Sequence, residues 1–247
     1  MIPEGVKQRV ARLGHNRCFP RRLPHDLGRC VFPASLEGGT KFLRFNAHRF
    51  DPALTRFAQE YVHRDAQVWD VGANVGLFTF AAAGLAGPGG HVVSVEADVW
   101  LANNLLRYAR RNHYAAPVSV VPAAAGARAG IELLEVSVTY RATSHLASAA
   151  GGPLTGGVRY RQVAPTVSLD SLLEVFPPPD VLKIDVEGAE VKVLEGAIEV
   201  LRKCPVMLIE IASQNSAACH EQLRAFDVRV WHGPNYLALP RRPQKLE

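Results

Sequence analysis

The chain has 247 residues, 48% of them apolar and 21% charged, a balance that suits a soluble globular protein with a full core and excludes a disordered one. No window approaches 18 consecutive apolar residues, and the first residues carry charge where a secretory signal would need an apolar run. The net charge of +5 is confined to residues 1–30, where Lys7, Arg9, Arg12, Arg17, Arg21, Arg22 and Arg29 stand against Glu4 and Asp26; the other 217 residues balance at 21 basic and 21 acidic. That split predicts a basic N-terminal arm over residues 1–40, loosely packed on a single domain spanning 41–247. Cys18, Cys30, Cys204 and Cys219 form no C-x-x-C pair and no metal-ligand spacing, so reduced thiols in a cytoplasmic protein, with no metal, are expected.

In chain order, KFLRFN (41–46) alternates like a short strand. A helix over 51–62 follows, with Asp51 as N-cap and Pro52 in its first turn. A strand at 67–71 leads into a buried helix from Leu77 to Ala83, ended by a cluster beginning at Gly84. HVVSVE (91–96) is the next strand, and 100–112 a helix with Leu101, Leu105, Tyr108 and Ala109 on its inner face. VSVVP (118–122) is a strand; LEVSVTY (134–140) alternates strictly, as a half-exposed antiparallel strand does, and VRYRQV (158–163) reads as its hairpin partner beyond a Gly/Ala/Ser-rich loop at 147–157.

VLKIDV (181–186) is a buried strand, 188–203 a helix with Val191, Leu194, Ile198 and Leu201 inward, and PVMLIEI (205–211) a further buried strand. A helix at 217–226 and a closing hairpin, 228–231 with 236–239, complete the series. Strands with continuous apolar runs alternating with helices predict an α/β fold: a doubly wound, mostly parallel sheet with an antiparallel C-terminal edge hairpin.

In such a sheet a ligand sits beyond the carboxyl ends of the strands, where strand order reverses. DVGANVG (70–76) occupies that kind of position, and its Gly72 and Gly76 allow a sharp turn and close approach to a ligand. It lacks the third glycine of G-x-G-x-x-G, and Asp70 would repel a pyrophosphate, so an NAD(P)-dependent oxidoreductase is the weaker reading. A cationic ligand without phosphate fits better, and S-adenosyl-L-methionine carries both an ammonium and a sulfonium. Glu96, ending the next strand, stands where a carboxylate accepts hydrogen bonds from ribose hydroxyls.

In VLKIDVEGAE (181–190), Val181, Lys183 and Asp185 share one strand face. Charges on a central parallel strand must be paired or line a cleft. Lys183 and Asp185 could pair with each other, or Asp185 could face the reacting atoms. Glu187 and Glu190 fall in what reads as the first helical turn, where the dipole favours acids in any case. Glu210 ends the neighbouring strand and would face the same crevice. FPPPD (176–180) precedes its strand and is set aside, and His145, His220 and His232 are isolated in sequence.

Taken together, DVGANVG (70–76), VSVE (93–96), TVSLDSLL (166–173) and VLKIDVEGAEVKVLEG (181–196) resemble the FkbM family of methyltransferases, and NYLALP (235–240) is similar to that family's last strand. The resemblance implies a Rossmann-like sheet, S-adenosyl-L-methionine as methyl donor, and O-methylation of a hydroxyl on a sugar or natural product. It carries donor binding to Asp70, Gly72, Ala73, Asn74, Gly76 and Glu96, and places Lys183, Asp185 and Glu187 at the reacting centre. Methyl transfer is an in-line displacement that depends on positioning and on a base for the acceptor hydroxyl. Asp185 is expected to take or orient that proton, with Lys183 fixing its carboxylate and Glu210 assisting. A small-molecule or glycan acceptor is expected; a nucleic-acid acceptor would rest on the basic arm alone.

Overall fold

The computed structural model describes residues 16–38, 50–149, 154, 157–203 and 205–241. It opens on a hairpin, β1 (Phe19–Arg22) against β2 (Val31–Ala34), paired antiparallel. Helix α1 (Pro52–Tyr61) starts as its sequence dictates: the Asp51 carboxylate accepts the Leu54 amide at 3.2 Å, and Pro52 takes a position whose amide would find no helical partner. Two strand–helix units follow, β3 (Gln67–Val71) with α2 (Leu77–Ala86), then β4 (His91–Val95) with α3 (Val99–Ala109), ending in β5 (Val118–Val121). Asp98 caps α3, accepting the amides of Trp100 at 2.8 Å and Leu101 at 3.2 Å.

The chain then leaves the main sheet to build a smaller one from β6 (Ala124–Ala125), β7 (Gly130–Ser137), β8 (His145–Leu146) and β9 (Val158–Val167), in the order β6-β9-β7-β8. β7 and β9 are the antiparallel pair that alternation predicts. A short helix α4 (Leu169–Leu172) returns the chain to β10 (Val181–Ile184), followed by α5 (Glu190–Glu195), α6 (Ile198–Arg202), β11 (Val206–Glu210) and α7 (Ser216–Gln222). The closing hairpin is β12 (Phe226–His232) with β13 (Asn235–Pro240).

The main sheet runs β12-β13-β11-β10-β3-β4-β5. Its five strands β3, β4, β5, β10 and β11 are mutually parallel, and the hairpin adds two antiparallel strands at one end, with β13 against β11. The order reverses between β3 and β10, which are hydrogen-bonded neighbours although more than a hundred residues separate them. The crevice beyond that junction is the expected ligand position of a doubly wound sheet. One face of the sheet is sealed by a core holding Phe57, Phe78, Phe80 and Leu105, the other by one holding Trp69, Leu182, Val200 and Leu223. The fold is therefore the Rossmann-like α/β arrangement read from the sequence.

Three local readings differ from it. The helix expected over 188–203 is two helices, broken at Gly196 and Ala197. Asp170 causes the break: its amide takes the Gly196 carbonyl at 2.9 Å, and its carboxylate caps α6 through the amides of Glu199 at 2.9 Å and Val200 at 3.0 Å. The break re-phases the face, so Val193, Leu194, Ala197 and Val200 are buried while Ile198 is 53% exposed. Glu187 is not in the first helical turn but in the turn before α5, and α2 continues through Gly84 to Ala86. Residues 16–38, expected to form a loosely packed arm, instead bury Leu23, Leu27, Cys30 and Phe32 against α2 and α3. Charge there marks only the outer side of a segment whose apolar residues face the core. Residues 1–15, the strand expected at 41–46, part of the loop at 147–157 and Cys204 lie outside the described residues.

Truncating the fully buried Phe32 tests that packing. Phe32→Ala should cost about 3–5 kcal/mol of unfolding free energy in a denaturant titration; a loss below about 1 kcal/mol would mean that the segment merely lies on the surface.

Candidate active site

The loop from β3 to α2 turns through three left-handed residues, Gly72 (φ 75°), Asn74 (φ 52°) and Gly76 (φ 77°). Gly72 is required by space as well as by angle, since a Cβ there would stand 1.8 Å from the Asp185 carbonyl oxygen. Asn is among the few other residues that tolerate this conformation. The loop is braced against β4: the amides of Gly72 and Ala73 donate to the Val95 carbonyl at 2.9 and 3.2 Å. The Asn74 amide donates to Glu96 Oε2 at 2.6 Å, and Glu96 Oε1 accepts the Asp98 amide at 2.8 Å. Burial, with a smaller push from Asp98, raises the Glu96 carboxyl to about 7 against the pull of those two amides.

Asp70, expected among the donor-binding residues, is not among the described residues that line the crevice. It is fully buried beneath the loop, where Oδ2 accepts the Thr79 hydroxyl at 2.6 Å and Oδ1 lies 3.3 Å from Lys183 Nζ. The reason is register: Asp70 and Lys183 are paired residues of adjacent parallel strands, so their side chains emerge side by side on one face. Lys183 also reaches Asp185 at 3.4 Å and donates to the Gly72 carbonyl at 2.7 Å. Burial works against its charge, but Asp70 and Asp185 outweigh that and raise its proton affinity. The pairing of Lys183 with Asp185, one of the two sequence alternatives, is thus present, and Asp185 faces the crevice as well.

Beyond β10, Glu187 adopts a left-handed conformation (φ 51°) and Gly188 follows at φ 100°. The Glu187 side chain reaches solvent at the rim of the crevice; partial desolvation first, then the charges of Asp185, Glu210 and Glu190, push its carboxyl up to about 8. Glu210, at the end of β11, is pushed up to about 7 by desolvation and by Asp185. Glu190 is structural: Oε1 accepts the Gly188 amide at 2.6 Å and Oε2 the Asn215 side-chain amide at 2.6 Å.

These parts border a cavity with about 650 Å³ of empty space, its open mouth included. Gly72, Asn74, Glu96, Asp185 and Glu187 line it, with apolar walls from Val95, Ala124, Leu134 and Leu146. Glu187 also borders an adjoining depression walled by Glu210, Ser213 and Tyr236. Sequence reasoning missed Asp98, Arg141, Ser144 and His145, which complete the cavity wall. No motif marks them: Asp98 caps α3, and Arg141, Ser144 and His145 belong to the small-sheet region inserted between β5 and β10.

The donor set suits a cation with an apolar body. Asn74 Oδ1 is a buried acceptor with no hydrogen-bond partner, on a residue of the cavity wall, and the same wall holds Glu96, Asp185 and Glu187, a setting that suits an ammonium. The cation in the wall, Arg141, is already held by Glu37 and Asp98, so nothing there invites a pyrophosphate. S-adenosylmethionine therefore fits the residues present.

A glycine loop after the first parallel strand, an acid ending the second, and a lysine–aspartate pair on the strand across the switch point define a Rossmann-like methyltransferase site. The family model described as the methyltransferase FkbM domain matches residues 70–230, and the chain belongs to that family, whose methyl donor is S-adenosyl-L-methionine. The hexuronic acid methyltransferase AglP of Haloferax volcanii is 28% identical over 165 residues, which are 66% of this chain and 63% of that relative's length. A methyltransferase FkbM structure from Methylobacillus flagellatus KT superposes with a TM-score of 0.54 at 18% identity, covering 76% of this chain and 48% of that one. The T. thermophilus 16S rRNA N2 G1207 methyltransferase, solved with AdoMet and guanosine, gives 0.51 at 16% identity, covering 92% and 50%, and shares the fold.

Two outcomes follow from this geometry. Gly72→Ala should lower Tm by about 5 °C or more, because the new methyl group meets backbone in a strained conformation; an unchanged Tm would contradict the close approach to Asp185. Glu96, Glu187 and Glu210 hold protons more tightly folded than at the unfolded value of 4.5. Their contribution to stability is complete below about pH 4.5 and is lost as pH rises through about 7 to 8. A Glu187→Gln/Glu210→Gln double variant should therefore show a flatter decline of Tm between pH 5 and 9 than the parent; an equal slope would show that these acids do not carry it.

Proposed function

We propose that the protein transfers a methyl group from S-adenosylmethionine to a hydroxyl of a sugar or glycosylated natural product. The observation that carries this reading is that Glu187 lines both the donor-type cavity and the adjoining depression, with Asp185 in the wall of the cavity two residues before it. An acceptor lying in that depression would meet Glu187 where the depression adjoins the donor cavity, and would reach Asp185 by extending into it. The sugar component draws support from the hexuronic acid methyltransferase relative. We also propose a cytoplasmic site of action, consistent with the free thiols of Cys18, Cys30 and Cys219. Among the described residues no helix is long and apolar enough to cross a membrane.

In this reading Gly72, Ala73 and Gly76 shape the donor cradle, Asn74 Oδ1 accepts from the donor's ammonium, and Glu96 accepts from its ribose hydroxyls with the lone pairs its two amide partners leave. The bound donor supplies an electrophilic methyl carbon on its sulfonium. Asp70 acts from below, by holding Lys183. Lys183 fixes the Asp185 carboxylate, which orients the acceptor hydroxyl. Glu187, whose carboxyl is pushed up to about 8, receives the hydroxyl proton in its ionised form, whose share grows as pH rises toward 8. Glu210 keeps that proton affinity high from across the depression.

The acceptor side is acidic, with Glu187, Glu190 and Glu210 bordering it and no lysine or arginine among the described residues of its wall. A neutral hydroxyl is therefore favoured over a uronate carboxylate. Turnover assays on paired hexoside and hexuronoside acceptors, with donor affinity measured separately by calorimetry, test the whole reading. Glu187→Gln and Asp185→Asn should each lower kcat, read at saturating donor, about a hundredfold or more. Full turnover in both variants would remove these residues from the chemistry, and binding of NAD in place of S-adenosylmethionine would remove the methyltransferase reading.

A further inference from the structure

Arg141 is 3% exposed, carries a full charge and belongs to no motif. Every face of its guanidinium is engaged. Nε meets Glu37 Oε2 at 2.5 Å, Nη1 bonds to Asp98 Oδ2 and donates to the Tyr160 hydroxyl at 3.0 Å, and Nη2 donates to Asn16 Oδ1 at 2.9 Å. Its plane packs 4.9 Å from the Trp100 ring. Glu37 is also held by Arg159 at 2.8 Å, so two carboxylates and two guanidiniums neutralise one another. Such a planar fork of five donors is not replaceable by a lysine, and losing it would strand two buried carboxylates.

The position of this cluster matters more than its strength. Arg141 begins the segment that supplies Ala142, Ser144, His145 and Leu146 to the cavity wall. Its partner Asp98 caps α3 through one carboxylate oxygen and, through its amide, holds Glu96 Oε1, whose other oxygen holds the Asn74 amide. An unbroken hydrogen-bonded chain thus runs from Glu37, outside the cavity, through Arg141, Asp98 and Glu96 to the glycine loop.

We propose that Arg141 is a positioning residue for donor binding: by clamping Glu37 to Asp98 it holds segment 141–146 over the cavity and sets the Glu96–Asn74 pair, which makes residues 16–38 part of the donor site. The proposal rests on the donor reading of that cavity. It assigns the basic N-terminal region a role in the site through a single acid, Glu37, and not through its positive charge. Among neighbouring groups, Arg159 and Tyr160 approach the clamp from β9 and Asn16 from the N-terminal side; none of them lines the cavity.

The test compares Arg141→Met, Arg141→Lys and Glu37→Gln with the parent. Donor affinity is read by calorimetry with S-adenosylmethionine, acceptor KM by steady-state kinetics, and amide hydrogen exchange of residues 141–146 on the ligand-free protein. Arg141→Met should weaken donor binding about tenfold or more, with acceptor KM little changed. Exchange in 141–146 should quicken about tenfold. Arg141→Lys should recover part of both effects. Glu37→Gln should move both readouts the same way although Glu37 does not itself line the cavity, and combining it with Arg141→Met should add little. Should Arg141→Met fail to fold, Glu37→Gln and Arg141→Lys carry the same two readouts. Parent-like donor affinity and exchange in the folded variants would overturn the clamp. A parent protein that binds no S-adenosylmethionine would overturn the donor reading instead, while the exchange rates would still decide whether Arg141 holds the segment.

Discussion

Lys183 places an ammonium, almost wholly out of water, between the carboxylates of Asp70 and Asp185 and under the Gly72 carbonyl. Desolvating one such charge alone is prohibitive, so the arrangement exists only if all its partners are in place together. Each partner comes from a different part of the fold: Asp70 from β3, Asp185 from the end of β10, Gly72 from the loop above. Correct register between two strands that are distant in sequence is therefore a condition for burying the lysine. A slip of one residue would turn Lys183 to the opposite face, among Leu182 and Trp69, with no carboxylate to meet it. The same contacts that align the switch point also fix the direction of Asp185 into the cavity.

Two carboxylates around one ammonium leave the centre net negative, and Glu187 and Glu210 add to it. The field explains several features at once. It disfavours phosphate, it favours a cationic ligand, and it holds protons on carboxyls that would otherwise be ionised near neutrality. These are coupled by linkage. A cation bound beside Glu187 lowers the carboxyl's proton affinity, and ionisation of the carboxyl strengthens the cation's binding by the same factor. On the proposed reading, occupation of the donor cavity would itself prepare Glu187 to take a proton from the acceptor, without any movement of the backbone.

Much of this was legible in the sequence, and the divisions are physical. Continuous apolar runs such as VVSV and VMLI reveal parallel strands because both of their faces are buried. The glycine loop and the K-I-D strand are legible because local backbone geometry and side-chain alternation dictate them. Asp70 was read as facing the ligand because strand order, and with it the pairing to Lys183, is not a local property. The break at Gly196 was hidden for the same reason, since its cause, Asp170, lies outside the helix it interrupts. Charge in the N-terminal region misled, because it outweighed a sparse apolar pattern in which Leu23, Leu27, Cys30 and Phe32 carry most of the packing. Arg141 had no signal at all: its partners Glu37 and Asp98 lie 104 and 43 residues away.

The two buried ionic clusters meet at the glycine loop from opposite sides. Lys183 grips the loop at the Gly72 carbonyl, and the chain through Asp98 and Glu96 grips it at the Asn74 amide. Between those grips lies the left-handed Asn74, with its side-chain oxygen unpaired and facing the cavity wall. A loop held at one end only could satisfy that oxygen by relaxing toward the nearest donor. Held at both, it keeps an unsatisfied acceptor in place, and the strain of doing so is carried by ion pairs that are too costly to break. On the proposed reading, a ligand that brings the missing donor meets an acceptor already held in place, and little of its binding energy goes to ordering the protein. The expense of burying Lys183 and Arg141 thus has a use that a hydrophobic core of equal volume would not supply: it fixes where the acceptors of the cavity point.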